Sequence, residues 1–168
     1  DLFRRQLDFF EREYGFIKKE DYKSAVHSGH NLDGVILSFD DGFSDHYHYA
    51  FKELNSRGLW GFFYVPTAPI RNYSQLLGVH RIHFLNGKYG STKILKEVSG
   101  LVEEHMLQNE TIEEFDKEIY KFSDYGEDAK QLRRLFNYFL KYDYRDKILN
   151  QLMLKYFDEL TLVNQTYL

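Results

Sequence analysis

Two adjacent carboxylates followed by a glycine, Asp40-Asp41-Gly42, close the apolar run Gly34-Val35-Ile36-Leu37-Ser38-Phe39. Neighbouring side chains of a strand point to opposite faces, so these two acids share a site only where the strand ends and the backbone turns. Gly42 permits such a turn. Two nearby carboxylates repel, and a bound cation beside them relieves the repulsion. One carboxylate can then ligate a metal while the other takes a proton from metal-bound water. A blander reading stands beside this one: Asp-Asp-Gly is also a turn signal, and an acid before a helix favours its N-terminus. Histidines supply the other candidate ligands. His80 and His83, three residues apart, would lie on one face of a helix within reach of one metal. His27 and His30 belong to a polar loop, where the ordinary expectation is a solvated imidazole. The chain contains no cysteine, which excludes disulfides, thiolate metal sites and thiol nucleophiles.

The elements that must position the aspartates are legible on either side. Ser44 offers a helix N-cap, residues 45–57 carry Ala50, Phe51 and Leu54 at helical spacing, and Gly58 stops the helix. A second apolar run over residues 59–65 ends at Pro66-Thr67. Strand, turn, helix and strand make a βαβ unit with parallel strands and a right-handed crossover. Both acids would then stand at the carboxyl end of a buried strand, where α/β sheets and (β/α) barrels place their ligands.

Around this unit, Phe3, Leu7, Phe10 and Tyr14 form one apolar face of a first helix, ended by Gly15, and residues 20–26 suggest a short second one. From Ser91, which can cap a helix, the pattern is helical onward. Ile94, Leu95, Val98, Leu101 and Val102 make one stripe. Thr111-Ile112-Glu113-Glu114 reads as a capping box, Gln131 to Tyr142 and Arg145 to Phe157 carry further stripes, and residues 160–163 suggest a last strand. These stripes read as core rather than as a cofactor box. At 168 residues, with 22 Lys and Arg against 26 Asp and Glu, the chain suits one domain of net charge −4. That balance gives no electrostatic reason to expect nucleic acid or an anionic membrane. No run reaches membrane-spanning length and no signal-peptide pattern opens the chain, so the location expected is cytoplasmic. Nothing in the sequence indicates an oligomeric state.

Ser38-Phe39-Asp40-Asp41-Gly42-Phe43-Ser44-Asp45, with Gly58-Leu59-Trp60-Gly61-Phe62-Phe63-Tyr64-Val65-Pro66-Thr67 behind it, resembles the start of the polysaccharide deacetylase (NodB-homology, carbohydrate esterase family 4-like) family. The family's first motif reads Thr/Ser-Phe-Asp-Asp-Gly, and a Thr-Phe-Phe-(Val/Ile)-Pro-Thr-like strand follows. The resemblance implies an α/β fold, the N-terminal part of a distorted (β/α) barrel, and removal of N- or O-acetyl groups from a carbohydrate in bacterial surface-polysaccharide metabolism. It implies a divalent metal, zinc first and cobalt or nickel next, with Asp40 as general base and Asp41 as metal ligand. The family's second motif, His-(Ser/Thr)-x-x-His, departs from His80-Arg81-Ile82-His83 in spacing and in its second residue. His80 and His83 are therefore candidate ligands with surface or substrate-contact roles as the other reading. A barrel needs seven or eight strands, and the sequence offers two and a possible third. The expectation that follows is a single, incomplete domain over residues 1–168 with a helical insertion over 68–158, inactive by itself, the histidine motif lying beyond Leu168. The alternatives are a Mg²⁺-dependent phosphoryl-transfer or receiver-type α/β protein and a non-catalytic helical binding module.

Overall fold

The computed structural model describes residues 2–71, 75–108, 119–120 and 123–167. The chain divides into two compact units, Asp1–Arg71 with Asn164–Leu168, and Asn72–Val163.

In the first unit, α1 (Leu2–Glu13) and α2 (Lys19–Ser28) precede β1 (Leu37–Phe39). A π-helical turn (His46–Phe51) then runs into α3 (Lys52–Ser56), β2 (Gly61–Phe63) follows, and α4 (Thr67–Arg71) comes next. The apolar stripe of α1 buries Leu7, and Gly15 ends the helix at φ +70, its N–H donating to the Phe10 carbonyl at 3.0 Å. β1 and β2 are parallel, with Leu37 opposite Gly61, Ser38 opposite Phe62 and Phe39 opposite Phe63. A parallel bridge between Phe16 and Val35 lays a third stretch of chain beside the approach to β1.

Alternation along the strands sends the aromatic rings to two faces. Phe39 and Phe63 stack at 4.8 Å and 11° on one face, where Phe3 of α1 and Phe51 of the π turn meet them edge-on. Trp60 and Phe62 lie on the other, where Tyr22 of α2 approaches both rings at 5.5 and 5.3 Å. The Trp60 indole N–H reaches the Ile17 carbonyl at 2.6 Å. Helices thus cover both faces of the parallel pair. Each such ring pair adds about 0.5–1.5 kcal/mol beyond its buried area, which matters because Leu7, Ala25, Ala50 and Leu54 are this unit's buried hydrophobic residues among those described.

The regular elements of the second unit's described residues are helices, with an antiparallel bridge between Leu107 and Leu140. α5 (Gly78–Tyr89) packs on α6 (Ser91–Ser99) and on α8 (Tyr142–Tyr156), and α6 packs on α7 (Glu127–Arg134). A 3₁₀ turn (Glu104–Met106) follows α6, and a second π turn (Leu135–Phe139) continues α7. The expected stripes form the core: Ile94 and Val98 of α6, Leu132 and Phe136 from α7 and its π turn, and Ile148, Leu149 and Leu152 of α8 are all buried, as are Leu85 and Ile82 of α5. The core also holds a charge. Arg81 is 1% exposed, with its Nε 2.6 Å from Glu159 and its Nη1 3.7 Å from Asp146.

Three sequence readings change. β1 is half-buried with Ser38 exposed, and both strands are three residues long, because the flanking apolar residues serve the Val35 bridge and the Trp60 hydrogen bond instead. Residues 160–163 lie inside a helix, α9 (Glu159–Thr166), where the Asp158 carboxylate accepts a hydrogen bond from Thr161 at 2.6 Å. Ser91 is the first residue of α6 rather than its cap, which is Gly90. The capping box at Thr111–Glu114 lies outside the described residues. What stands is a mostly helical α/β chain with one parallel βαβ unit; among the described residues every helix is too short or too polar to cross a membrane.

Candidate active site

Asp40 follows β1 directly and is exposed; Asp41 is half-buried. Asp41 and Gly42 both take left-handed conformations, φ +75 and +61. The strand therefore stops abruptly and the chain doubles towards the crossover helix. For Asp41 that backbone costs about 1–2 kcal/mol, and strain of this kind concentrates at functional sites. A Cβ on Gly42 would stand 3.0 Å from Val65 Cγ1 and 3.5 Å from Pro66 Cδ, so the turn lies pressed against the segment after β2. The two motifs that carry the family resemblance thus touch here.

The far side of the turn is pinned from a distance. Phe43 forms an antiparallel bridge with Tyr167, and the two rings stack at 6.3 Å and 10°. The Ser44 hydroxyl donates to the Gln165 carbonyl at 3.1 Å. Ser44 is therefore no N-cap: the cap position of the π turn is Asp45, whose side chain makes no capping bond.

Sequence reasoning passed over His46, the first residue of that π turn. Its ring lies 5.4 Å from both Phe39 and Phe43 and 6.4 Å from Phe63, and its Nδ1 is buried without a hydrogen-bond partner among the described residues. The available signal was its place, one turn into the helix that follows two aspartates. π turns are themselves frequent at functional sites.

The histidines singled out in the sequence lie elsewhere. His80 and His83 belong to the second unit, on α5, and line a cavity of about 530 Å³ with Phe84 and Phe157. His80 is buried and His83 exposed. The Arg133 guanidinium donates to His83 Nε2 at 3.2 Å, which occupies the lone pair a metal would need and sets a cation beside it. His27 lies in the last turn of α2 and not in the expected loop, its Nδ1–H donating to the Lys23 carbonyl one turn back at 2.7 Å, while His30 Nδ1 meets the Ser28 hydroxyl just beyond the helix; both histidines are exposed.

Among the described residues, no three His, Asp or Glu side chains gather closely enough to hold a metal ion. Zinc takes three or four protein ligands. The pair Asp40 and Asp41 does not by itself fit that requirement. Comparison of the chain with known protein families, with curated proteins and with solved structures finds no match.

Proposed function

We propose that this chain carries the general-base end of a carbohydrate deacetylase site. The observation that supports it best is Ser38-Phe39-Asp40-Asp41-Gly42 at the carboxyl end of a parallel strand, turned by two left-handed residues against Val65-Pro66. In this reading Asp40, exposed at the strand end, accepts a proton from water as the water oxygen bonds to an acetyl carbonyl carbon. The bond from that carbon to the sugar nitrogen then breaks and the departing amine takes a proton. Asp41, half-buried in the turn, would be a ligand to a divalent cation such as zinc, cobalt or nickel. The substrate class is an acetylated carbohydrate of the kind found in bacterial surface polysaccharides, and the βαβ unit is the opening of a NodB-type barrel.

The test uses the native protein with whatever flanks these residues, and measures acetate release from acetylated chitooligosaccharides together with bound metal. Asp40→Asn keeps the shape but cannot accept the proton, so turnover falls by about 10² to 10⁴ while metal content stays unchanged. Asp41→Asn loses metal and turnover together. A pure turn-and-cap role predicts mild effects from both, since Asn also caps and turns. Near-wild-type turnover in both variants removes the enzyme reading.

A further inference from the structure

The first unit holds a second place with binding character, away from the Asp40-Asp41 turn. A cavity of about 520 Å³ opens between the first turn of α1 and the crossover helix, lined by Phe3, Arg4, His48, Tyr49, Lys52 and Glu53. That volume lies within the usual range of small-molecule sites. In a chain of net charge −4, three of the seven lining residues are basic types and one is acidic.

The single acid is committed to two arginines and not to Lys52 or His48. Glu53 is 14% exposed and its carboxylate is shared between Arg4 Nε at 2.7 Å and Arg57 Nε at 2.9 Å. Those two hydrogen bonds, Arg4's first, hold its carboxyl below the ordinary carboxylate range. Glu53 thereby fixes the Arg4 guanidinium as one wall. Lys52 and His48 are a helical turn apart on the same face, and among the described residues neither forms an ion pair with a carboxylate. An ammonium and an imidazole on one face can both donate hydrogen bonds to an anion placed between them. The remaining walls are rings: Phe3, whose other contact is the Phe39 ring, and Tyr49, which is 70% exposed.

We propose that this cavity binds a small anionic sugar, its phosphate or carboxylate held by Lys52 and His48 and its ring lying between Phe3 and Tyr49. The site uses neither Asp40 nor Asp41 and stands or falls independently of the deacetylase reading.

Calorimetric titration of the 168-residue chain with glucose 6-phosphate, glucuronate, inorganic phosphate and glucose tests it. At least one of the two anionic sugars binds, and the comparison between them tells a phosphate site from a carboxylate site. Glucose, which lacks the charge, binds at least about tenfold more weakly, as does inorganic phosphate, which lacks the ring. Lys52→Gln and His48→Gln each weaken the sugar anion about tenfold, the worth of one charge-assisted hydrogen bond. Lys23→Gln, on the exposed side of α2, changes nothing. Trp60 fluorescence reports whether each variant is folded. Absence of binding by both sugar anions overturns the proposal. So does equal binding by glucose or by inorganic phosphate, or unchanged affinity in folded Lys52→Gln and His48→Gln proteins.

Discussion

Replacing Gly42 with alanine separates two costs that coincide at the Asp40-Asp41 turn. The first is conformational: at φ +61 an L-residue is disfavoured by about 1–2 kcal/mol. The second is steric, because the new Cβ would meet Val65 Cγ1 at 3.0 Å, with Val65 Cα and Pro66 Cδ both at 3.5 Å limiting the retreat. Pushing Val65 off its rotamer adds about 0.5–1.5 kcal/mol. The sum is about 1.5–3.5 kcal/mol. Gly15 provides the control, since it has φ +70 and nothing within 4 Å of its added Cβ, so Gly15→Ala carries the conformational cost alone. Urea unfolding followed by the single tryptophan, Trp60, whose ring lies against Tyr22 and Phe62, reports on the unit that contains both glycines. Gly42→Ala should therefore exceed Gly15→Ala by about 0.5–1.5 kcal/mol with an unchanged urea dependence. Equal losses would show that the turn is not pressed against Val65, and the contact between the two motif segments would go with it.

The buried Arg81 makes the second unit sensitive to its partner. Glu159→Ala leaves the guanidinium with Asp146 at 3.7 Å and costs about 3–5 kcal/mol in urea unfolding, most of which Arg81→Met in the same chain restores; a loss below about 1 kcal/mol from Glu159→Ala would refute the pairing. Acid should destabilise the protein in a defined window. Glu53 is held below its ordinary 4.5 by Arg4 and Arg57, and Glu97 below 4.5 by the Tyr156 hydroxyl and Lys155, so their stabilisation is complete above 4.5 and is lost as pH falls below it. The urea midpoint should be flat down to that point and then drop, and Arg57→Gln should make the drop shallower; a midpoint falling steadily from neutral pH would contradict this. Ser44→Ala should leave helix content unchanged and increase amide exchange at residues 43–44, because its hydroxyl serves the Gln165 carbonyl in the last turn of α9 and not the N-terminus of its own helix. Loss of helix by circular dichroism would restore the capping role.

Local chemistry made much of the fold legible. The βαβ unit, its parallel pairing, the turn at Asp41-Gly42 and the stripes of α6 and α8 follow from periodicity and from where glycine falls, and each is set by residues a few positions apart. What escaped depends on partners far away in sequence. Nothing local tells Ser44 to reach Gln165 rather than cap its own helix, or tells Arg81 that a glutamate 78 residues away will meet it in the core. Residues 160–163 are a different kind of miss. A four-residue apolar run fits strand and helix equally, but Asp158 before Glu159 was a readable helix start, and the Thr161 hydrogen bond confirms it. At the site, the acids and their turn were visible, whereas the aromatic surroundings and orphaned nitrogen of His46 exist only once three segments have come together.

The tie between Phe43-Ser44 and Gln165-Tyr167 also sets an order of events in time. The bonded atoms of Ser44 and Gln165 are 121 residues apart. At a ribosomal pace of ~5–20 residues per second, the aspartate turn exists for about 6–24 seconds before its far anchor has been made. Throughout that interval β1, the crossover helix and β2 can already form, while the Phe43 ring still lacks its stack on Tyr167 and the turn is already pressed against Val65. The whole helical unit from Asn72 to Val163 is synthesised within the same delay. A nascent chain halted inside that unit would carry both aspartates on a turn without its tie to residues 165 and 167, and would acquire that tie only once those residues have been made.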